Sequence, residues 1–101
     1  MLPPTSERLR EPDVVPYFLW GTGMNVAELR EVLAGSDMRA RDEALARLLR
    51  EANTRDVWIF VDWGMVDEAW PRIVHRLGRS RRVWEMIRAR REERMSSVRA
   101  E

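Results

Sequence analysis

The sequence predicts an all-α protein: a compact five-helix domain, for which stacked helical hairpins are one arrangement, preceded by an extended proline-rich arm. Apolar residues recur every three or four positions, and only the run Val57–Val61 has the β-branched and aromatic composition of a strand. Four of the five prolines lie in the first 16 residues. A chain of 101 residues has room for one core. We therefore expect an arm over residues 1–16, a helical domain over 17–95 and a tail over 96–101.

The N-terminal segment is rich in residues that oppose regular structure. Proline has no backbone N–H and restricts the residue before it, which predicts an extended arm. Met1–Pro16 lacks the apolar stretch of a signal peptide. The segment Tyr17–Trp20 follows, and Gly21-Thr22-Gly23 interrupts the chain after it. This aromatic segment can lie over the core as a lid or stay exposed for a partner, and the sequence leaves both open.

The first two helices have recognisable boundaries. Asn25 can cap the first helix, with Glu28 as its capping-box partner and Met24 packed against Leu29. Gly35 suits a left-handed helix end. The apolar stripe of the first helix is Val26, Leu29 and Leu33. Ser36 can cap the second helix, which ends at Asn53-Thr54 and whose stripe is Met38, Leu45, Leu48, Leu49 and Ala52.

The run Val57–Val61 is ambiguous. Its composition allows a buried strand, but the chain has no second strand-like run to pair with it. A lone buried strand would leave its backbone groups without hydrogen bonds. We therefore predict a short buried helix.

The C-terminal third predicts two further helices. Asp62 can cap the fourth helix, whose stripe passes through Pro71, so the proline either kinks this helix or begins a new turn. That stripe is Val66, Trp70, Ile73 and Leu77. Gly78 ends the fourth helix, and Ser80 can cap a final helix over about residues 81–95. The predicted core face of the final helix is Val83, Trp84 and Ile87.

The charge is balanced overall and divided along the chain. Residues 1–70 hold 8 arginines and 13 acidic residues, a net charge of −5, whereas residues 71–101 hold 10 arginines and 4 acidic residues, a net charge of +6. All 18 basic residues are arginine. Such asymmetry is typical of proteins that bind a charged partner, although a basic C-terminal segment that packs over an acidic body would explain it equally well.

The final helix changes character along its length. Continuing its apolar stripe leads to Arg90, Arg91 and Arg94, so the face expected to be buried becomes cationic. Either this end is a solvated helix terminus, or it binds carboxylates or phosphates, both of which arginine recognises with paired hydrogen bonds. Arg81 and Arg82 can extend the patch.

Tryptophan is abundant, with five residues in 101. Trp58, Trp70 and Trp84 fit core positions, whereas Trp20 and Trp63 lie beside glycines at element edges. Tryptophan and arginine dominate interface hot spots. The candidate partner-binding residues are therefore Trp20, Trp63, Arg81, Arg82, Arg90, Arg91 and Arg94.

Enzyme chemistry has little support in the sequence. There is no cysteine, and the single histidine, His75, has no companion ligand and is expected at the surface. Asp62, Asp67 and Glu68 could share a magnesium ion, but capping and the helix dipole explain them. The Gly21-Thr22-Gly23 turn lacks the lysine of a phosphate-binding loop. We expect no catalytic residue, cofactor, metal site or membrane span.

Several segments resemble a family of small bacterial helical proteins that are often encoded beside nucleotidyltransferase-type abortive-infection toxins. The segments are Pro16–Trp20, Leu45–Ala52, Asp56–Trp58, Trp70–Arg72 and Arg81–Glu85. The likeness covers roughly residues 16–88 and rests mainly on apolar packing positions; residues 62–65 depart from it. It implies a helical, cytoplasmic, antitoxin-like or accessory partner of a neighbouring nucleotidyltransferase, with no catalytic residue.

Two functions remain open at this level. The first is a non-enzymatic protein-interaction module whose arginine-rich end and edge aromatics bind an acidic protein. The alternative is a nucleic-acid-binding protein that uses the same arginines, although no helix-turn-helix, zinc-finger or RNA-binding sequence pattern is present. An enzyme ranks third, and a purely structural role, such as homo-oligomerisation through the tryptophans, also stays open.

Overall fold

The computed structural model describes residues 6–100, with side chains described through residue 95. This part of the chain forms an all-α fold with no strand, as the sequence predicts. The α-helices are α1 (Val26–Ala34), α2 (Met38–Glu51), α3 (Thr54–Val57), α4 (Trp63–Ile73) and α5 (Ser80–Ala100). Three short 3-10 helices cover Glu7–Arg10, Tyr17–Leu19 and Val74–Arg76.

The N-terminal segment packs on the helical body. It is not extended throughout, because Glu7–Arg10 is helical and its Leu9 is buried in the core. The carbonyl oxygens of Pro12 and Val14 accept hydrogen bonds from the first N–H groups of α1, each at 2.9 Å. These N–H groups have no partner within the helix. Residues 6–16 therefore help to cap the N-terminus of α1, whereas residues 1–5 lie outside the described part.

The aromatic segment after the arm divides between core and surface. Phe18 and Leu19 are buried, and Arg47 of α2 donates to the carbonyl oxygen of Phe18 at 3.0 Å. Trp20 points away and is 70% exposed. Phe18 and Leu19 thus cover the core, whereas the side chain of Trp20 lies on the surface.

The N-terminus of α1 forms as predicted, and two neighbouring features do not. Asn25 and Glu28 form a reciprocal capping box, with hydrogen bonds of 2.9 and 3.1 Å. The left-handed end at Gly35 is wrong, because its φ is −77°. A Cβ there would lie 3.2 Å from the carbonyl oxygen of Glu31, so this glycine provides space. Asp37, rather than Ser36, caps α2; its carboxylate also interacts favourably with the helix dipole.

The predicted helix over Val57–Val61 is wrong in position. Asn53 caps a helix that begins at Thr54 and already ends at Val57, so the aromatic run forms a turn instead. α2 correspondingly ends at Glu51, before the predicted Asn53-Thr54. Val57, Phe60 and Val61 are nevertheless buried. Asn53 starts α3 before the apolar run, so only Val57 of the run lies within the helix. The rest of the run supplies core side chains without regular secondary structure.

The stripe of α4 continues through its proline. Asp62 caps α4 by accepting from the Met65 N–H at 2.9 Å, as predicted. Pro71 lies inside α4, which ends two residues later, and the chain continues as the 3-10 helix Val74–Arg76. The prediction that Gly78 ends the fourth helix is wrong, because α4 ends at Ile73; Gly78, with a φ of +54°, follows the 3-10 helix instead. Val66, Ile73 and Leu77 are fully buried.

The final helix begins one residue earlier and ends later than the sequence predicts, and one of its three predicted core residues is exposed. Ser80 lies within α5 instead of capping it, and its hydroxyl donates to the carbonyl oxygen of Arg50 at 2.9 Å. Val83 is 42% exposed, so its predicted core position is wrong, whereas Trp84 is fully buried. The backbone of α5 continues to Ala100. Trp84 packs against the helical body, so the side of α5 that carries Trp84 is the buried side.

Candidate functional site: a groove under the second half of α5

A groove of about 960 Å³ lies between the second half of α5 and the segment that joins α3 to α4. We call it the α5 groove. Its floor is apolar, formed by Trp58, Val61 and Trp63 from the body and by Ile87 and Met95 from α5. Four arginines line it: Arg55, Arg90, Arg91 and Arg94. Arg55 comes from α3 and the others from α5, so both walls are cationic.

Three tryptophans hold the floor in place. The ring centroids of Trp58 and Trp63 lie 4.9 Å apart, and both rings contact Trp84 edge to face, at 5.7 and 6.3 Å. Aromatic pairs at these separations stabilise a packed cluster beyond their buried area. Trp84 is fully buried, while Trp58 and Trp63 are partly buried and border the groove. The floor is therefore a rigid edge of the core.

Two arginines of α5 bind the protein's own body. Arg91 donates to Asp67 of α4 at 2.8 Å, and its guanidinium lies 4.8 Å from the Trp63 ring centroid. Arg88 donates to the other oxygen of Asp67 at 3.3 Å and lies 4.3 Å from the Trp70 ring centroid. These contacts attach the middle of α5 to α4. Arg91, although a predicted partner residue, is thus already paired with an acid of the protein.

Arg90 and Arg94 differ from these two. Both are exposed, and neither forms an ion pair with any residue in the described part of the chain. They are four residues apart and so lie on one face of α5. This face is beyond Trp84, where α5 reaches past the core.

Arg55 adds a cation to the opposite wall. Its Nε atom is buried and has no hydrogen-bond partner among the described residues. The acid that lines the groove is Asp62, whose carboxylate accepts the capping hydrogen bond of α4. With four arginines and one aspartate among the described lining residues, the groove has a formal charge of +3. It can bind an anionic group against an apolar floor.

The structure brings together four of the seven predicted partner residues and separates three. Trp63, Arg90, Arg91 and Arg94 line the α5 groove. Arg81 and Arg82 lie in the first turn of α5, away from the groove, and Arg81 pairs with Glu85 at 3.4 Å. Trp20 lies elsewhere, and its indole donates to the Val15 carbonyl oxygen at 3.3 Å.

Sequence reasoning missed Arg55 and assigned Trp58 only to the core. Trp58 lies within the aromatic run that the sequence predicts to be buried, and Arg55 lies two residues before this run. Both residues reach the groove because residues 58–60 form a turn. No local sequence pattern predicts this turn.

The acids considered for a metal ion are each engaged by the protein. Asp62 caps α4, Asp67 binds Arg88 and Arg91, and Glu68 binds Arg72 at 2.8 Å. His75 is exposed, as expected. Within the described residues, no helix combines the length and apolar character needed to span a membrane.

Comparisons with protein-family models, with curated proteins and with solved structures gave no match. The resemblance to toxin-associated helical proteins therefore stays a prediction.

Proposed function

We propose that this protein is a non-enzymatic interaction module that binds an acidic, partly apolar segment of a protein partner in the α5 groove. The observation that carries this proposal is the combination of an apolar tryptophan floor with Arg90 and Arg94, which have no ion pair in the described part of the chain. Arginine binds carboxylates through paired, charge-assisted hydrogen bonds. Tryptophan and arginine are also the residues that most often dominate protein interfaces.

The arrangement of the aromatic rings favours a protein over a single-stranded nucleic acid. Nucleic-acid bases stack on open aromatic faces. One face of Trp63 is covered by the Arg91 guanidinium at 4.8 Å, and the ring also packs against Trp58. Apolar side chains therefore fit this floor better than stacked bases do.

The family resemblance supplies the first partner to test, a nucleotidyltransferase toxin. An antitoxin-like role requires that the enzyme present an acidic and apolar segment to the α5 groove. This partner is a proposal that rests on the resemblance, whereas the chemistry of the segment rests on the groove.

Selection from a random peptide display library tests the proposal without assuming a partner. We expect the wild-type protein to enrich peptides that combine aspartate or glutamate with large apolar residues. The variant R90E/R94E should lose these peptides. The control R39E/R82E makes the same charge change at two exposed arginines outside the groove, so it should retain them.

Two outcomes would contradict the proposal. One is selection of peptides that bind R90E/R94E as well as wild type. The other is tight, strongly salt-dependent binding of a single-stranded oligonucleotide that R90E/R94E abolishes, because such salt dependence indicates phosphate contacts. Circular dichroism of each variant checks that the helical fold is intact.

A further inference from the structure

The shape and charge of the α5 groove point to the conformation of its occupant. We infer that the occupant is an α-helical segment of about two turns, lying along α5, with acidic side chains on both sides of its apolar stripe. This inference rests on the proposed function and adds the structure and residue pattern of the bound segment.

The surface around the groove excludes two of the recurring ways in which proteins bind peptides. Addition of a peptide strand requires an exposed sheet edge, and the described residues form no strand. Polyproline recognition requires grooves lined by accessible aromatic rings. Here Trp58 and Trp63 are only partly exposed, because they pack against each other and against Trp84, and Arg91 covers one face of Trp63. A helix that lays its apolar face into a groove suits the apolar floor, and the arginines on both walls suit acidic side chains on that helix.

The size of the groove matches a short helix. Its α5 wall runs from Ile87 to Met95, which is about 12 Å along a helix axis at 1.5 Å per residue. A helix with its side chains is about 10 Å across, so two turns of this length occupy about 900 Å³. The groove has a volume of about 960 Å³. A helix of about two turns therefore fits along this wall.

The charges on the two walls determine the pattern of the bound helix. Arg90 and Arg94 line the α5 wall, and Arg55 lines the α3 wall, with the apolar floor between them. A helix seated on this floor faces arginine on each side of its apolar stripe. Carboxylates on both flanks are therefore complementary, whereas carboxylates on the outer face reach neither wall.

The buried Nε of Arg55 also favours an anion at the α3 wall. It has no hydrogen-bond partner in the part of the chain that the structure describes. Buried donors in native proteins are nearly always paired, commonly with water or a ligand when the protein offers nothing. A carboxylate at this wall would give Arg55 a charge-assisted hydrogen-bond partner.

Three designed peptides of about 14 residues, or four helical turns, test the inference. The first has leucines at helical spacing and glutamates on both flanks of the leucine stripe. The second has the same composition, with the order changed so that the leucines are spread around the helix. The third is the first with a central proline, which breaks helices. Calorimetry gives the affinities, and circular dichroism reports helix formation on binding.

We expect the first peptide to become helical on binding and to bind at least about tenfold more tightly than the second. The proline peptide should lose on the order of 100-fold in affinity. R90E/R94E and R55E should each weaken the first peptide, and R39E/R82E should not.

The outcomes separate this inference from the proposed function. Equal binding of the first two peptides, or display-selected peptides that bind without gaining helix, would overturn the helical occupant and leave the acidic protein partner in place. Failure of designed and display-selected peptides alike would overturn both. Equal affinities of the first peptide for wild type and R55E would remove the requirement for acids on both flanks.

Discussion

The indole N–H of Trp84 donates a hydrogen bond of 2.8 Å to the carbonyl oxygen of Leu49. Leu49 lies in the last turn of α2, where backbone carbonyls have no partner within the helix. The hydroxyl of Ser80 donates a hydrogen bond of 2.9 Å to the next carbonyl oxygen, that of Arg50. The first turns of α5 thus complete the end of α2. This attachment sets the direction in which the rest of α5 extends over the groove.

Replacing Trp84 with phenylalanine should destabilise the fold. The change leaves the Leu49 carbonyl without its partner and creates a void in the tryptophan cluster. We expect W84F to lower the free energy of unfolding by about 2–4 kcal/mol. Urea denaturation followed by circular dichroism measures the loss. W20F is the control, since Trp20 is 70% exposed; equal stability of the two variants would refute the role of Trp84.

Tyr17 connects the aromatic segment to α3. Its hydroxyl donates to a carboxylate oxygen of Asp56 at 2.6 Å and accepts from the Asn53 N–H at 2.7 Å. Asp56 is fully buried, and a buried carboxylate that loses a donor is costly. We expect Y17F to lower the free energy of unfolding by about 1.5–3 kcal/mol. A change below about 0.5 kcal/mol in urea denaturation, the range of surface substitutions, would contradict this.

The contact between Arg91 and Asp67 should couple α5 to α4. Both side chains are about one-third exposed, so the ion pair is only partly screened by water. A double-mutant cycle of R91Q and D67N is expected to give a coupling energy of about 0.5–1 kcal/mol. The coupling should shrink in high salt. Strict additivity of the two substitutions at low salt would show that this pair does not hold α5.

The ion pairs around Arg72 predict an acid-sensitive contribution to stability. Arg72 donates to Asp42 at 2.7 Å and to Glu68 at 2.8 Å. The hydrogen bond from Arg72 lowers the pKa of the Glu68 carboxyl below its ordinary value of 4.5. Hydrogen bonds to Asp42 and then Glu68 raise the pKa of the Arg72 guanidinium, which keeps it charged.

A carboxyl whose pKa is lowered by folding stabilises the protein above its unfolded pKa, and the contribution disappears as the pH falls through the folded pKa. The stabilisation from Glu68 is therefore complete above about pH 4.5 and lost in more acidic solution. E68Q should lower the urea midpoint at pH 6 and approach wild type at about pH 3. A difference between the two proteins that stays constant across this range would contradict the prediction.

The sequence predicted those features that depend on neighbouring residues. The capping box of Asn25 and Glu28 and the Asp62 cap both form, because each involves hydrogen bonds within a few residues. Asp37 caps α2 although Ser36 was the predicted cap, because two adjacent residues of similar capping ability compete for this position. Element type was therefore better predicted than element boundaries.

The candidate site was only partly predictable. The cationic stretch at residues 90–94 and the edge position of Trp63 were visible in the sequence. Val83 is exposed although the spacing predicts it in the core, and Arg91 lines the groove as predicted but is also paired with Asp67. Helical periodicity gives the spacing of a face but does not identify the neighbour that the face meets.

Local chemistry alone determined that this chain is helical, where its caps act and that its arginines concentrate at the C-terminal end. Tertiary packing decided which arginines are neutralised and which remain available to a partner. Arg55 and Arg94 line one groove although 38 residues separate them in the sequence. Their proximity depends on the position of Trp84 against α2 and of Arg91 against α4. Short-range propensities carry no information about such distances, because packing between distant segments sets them.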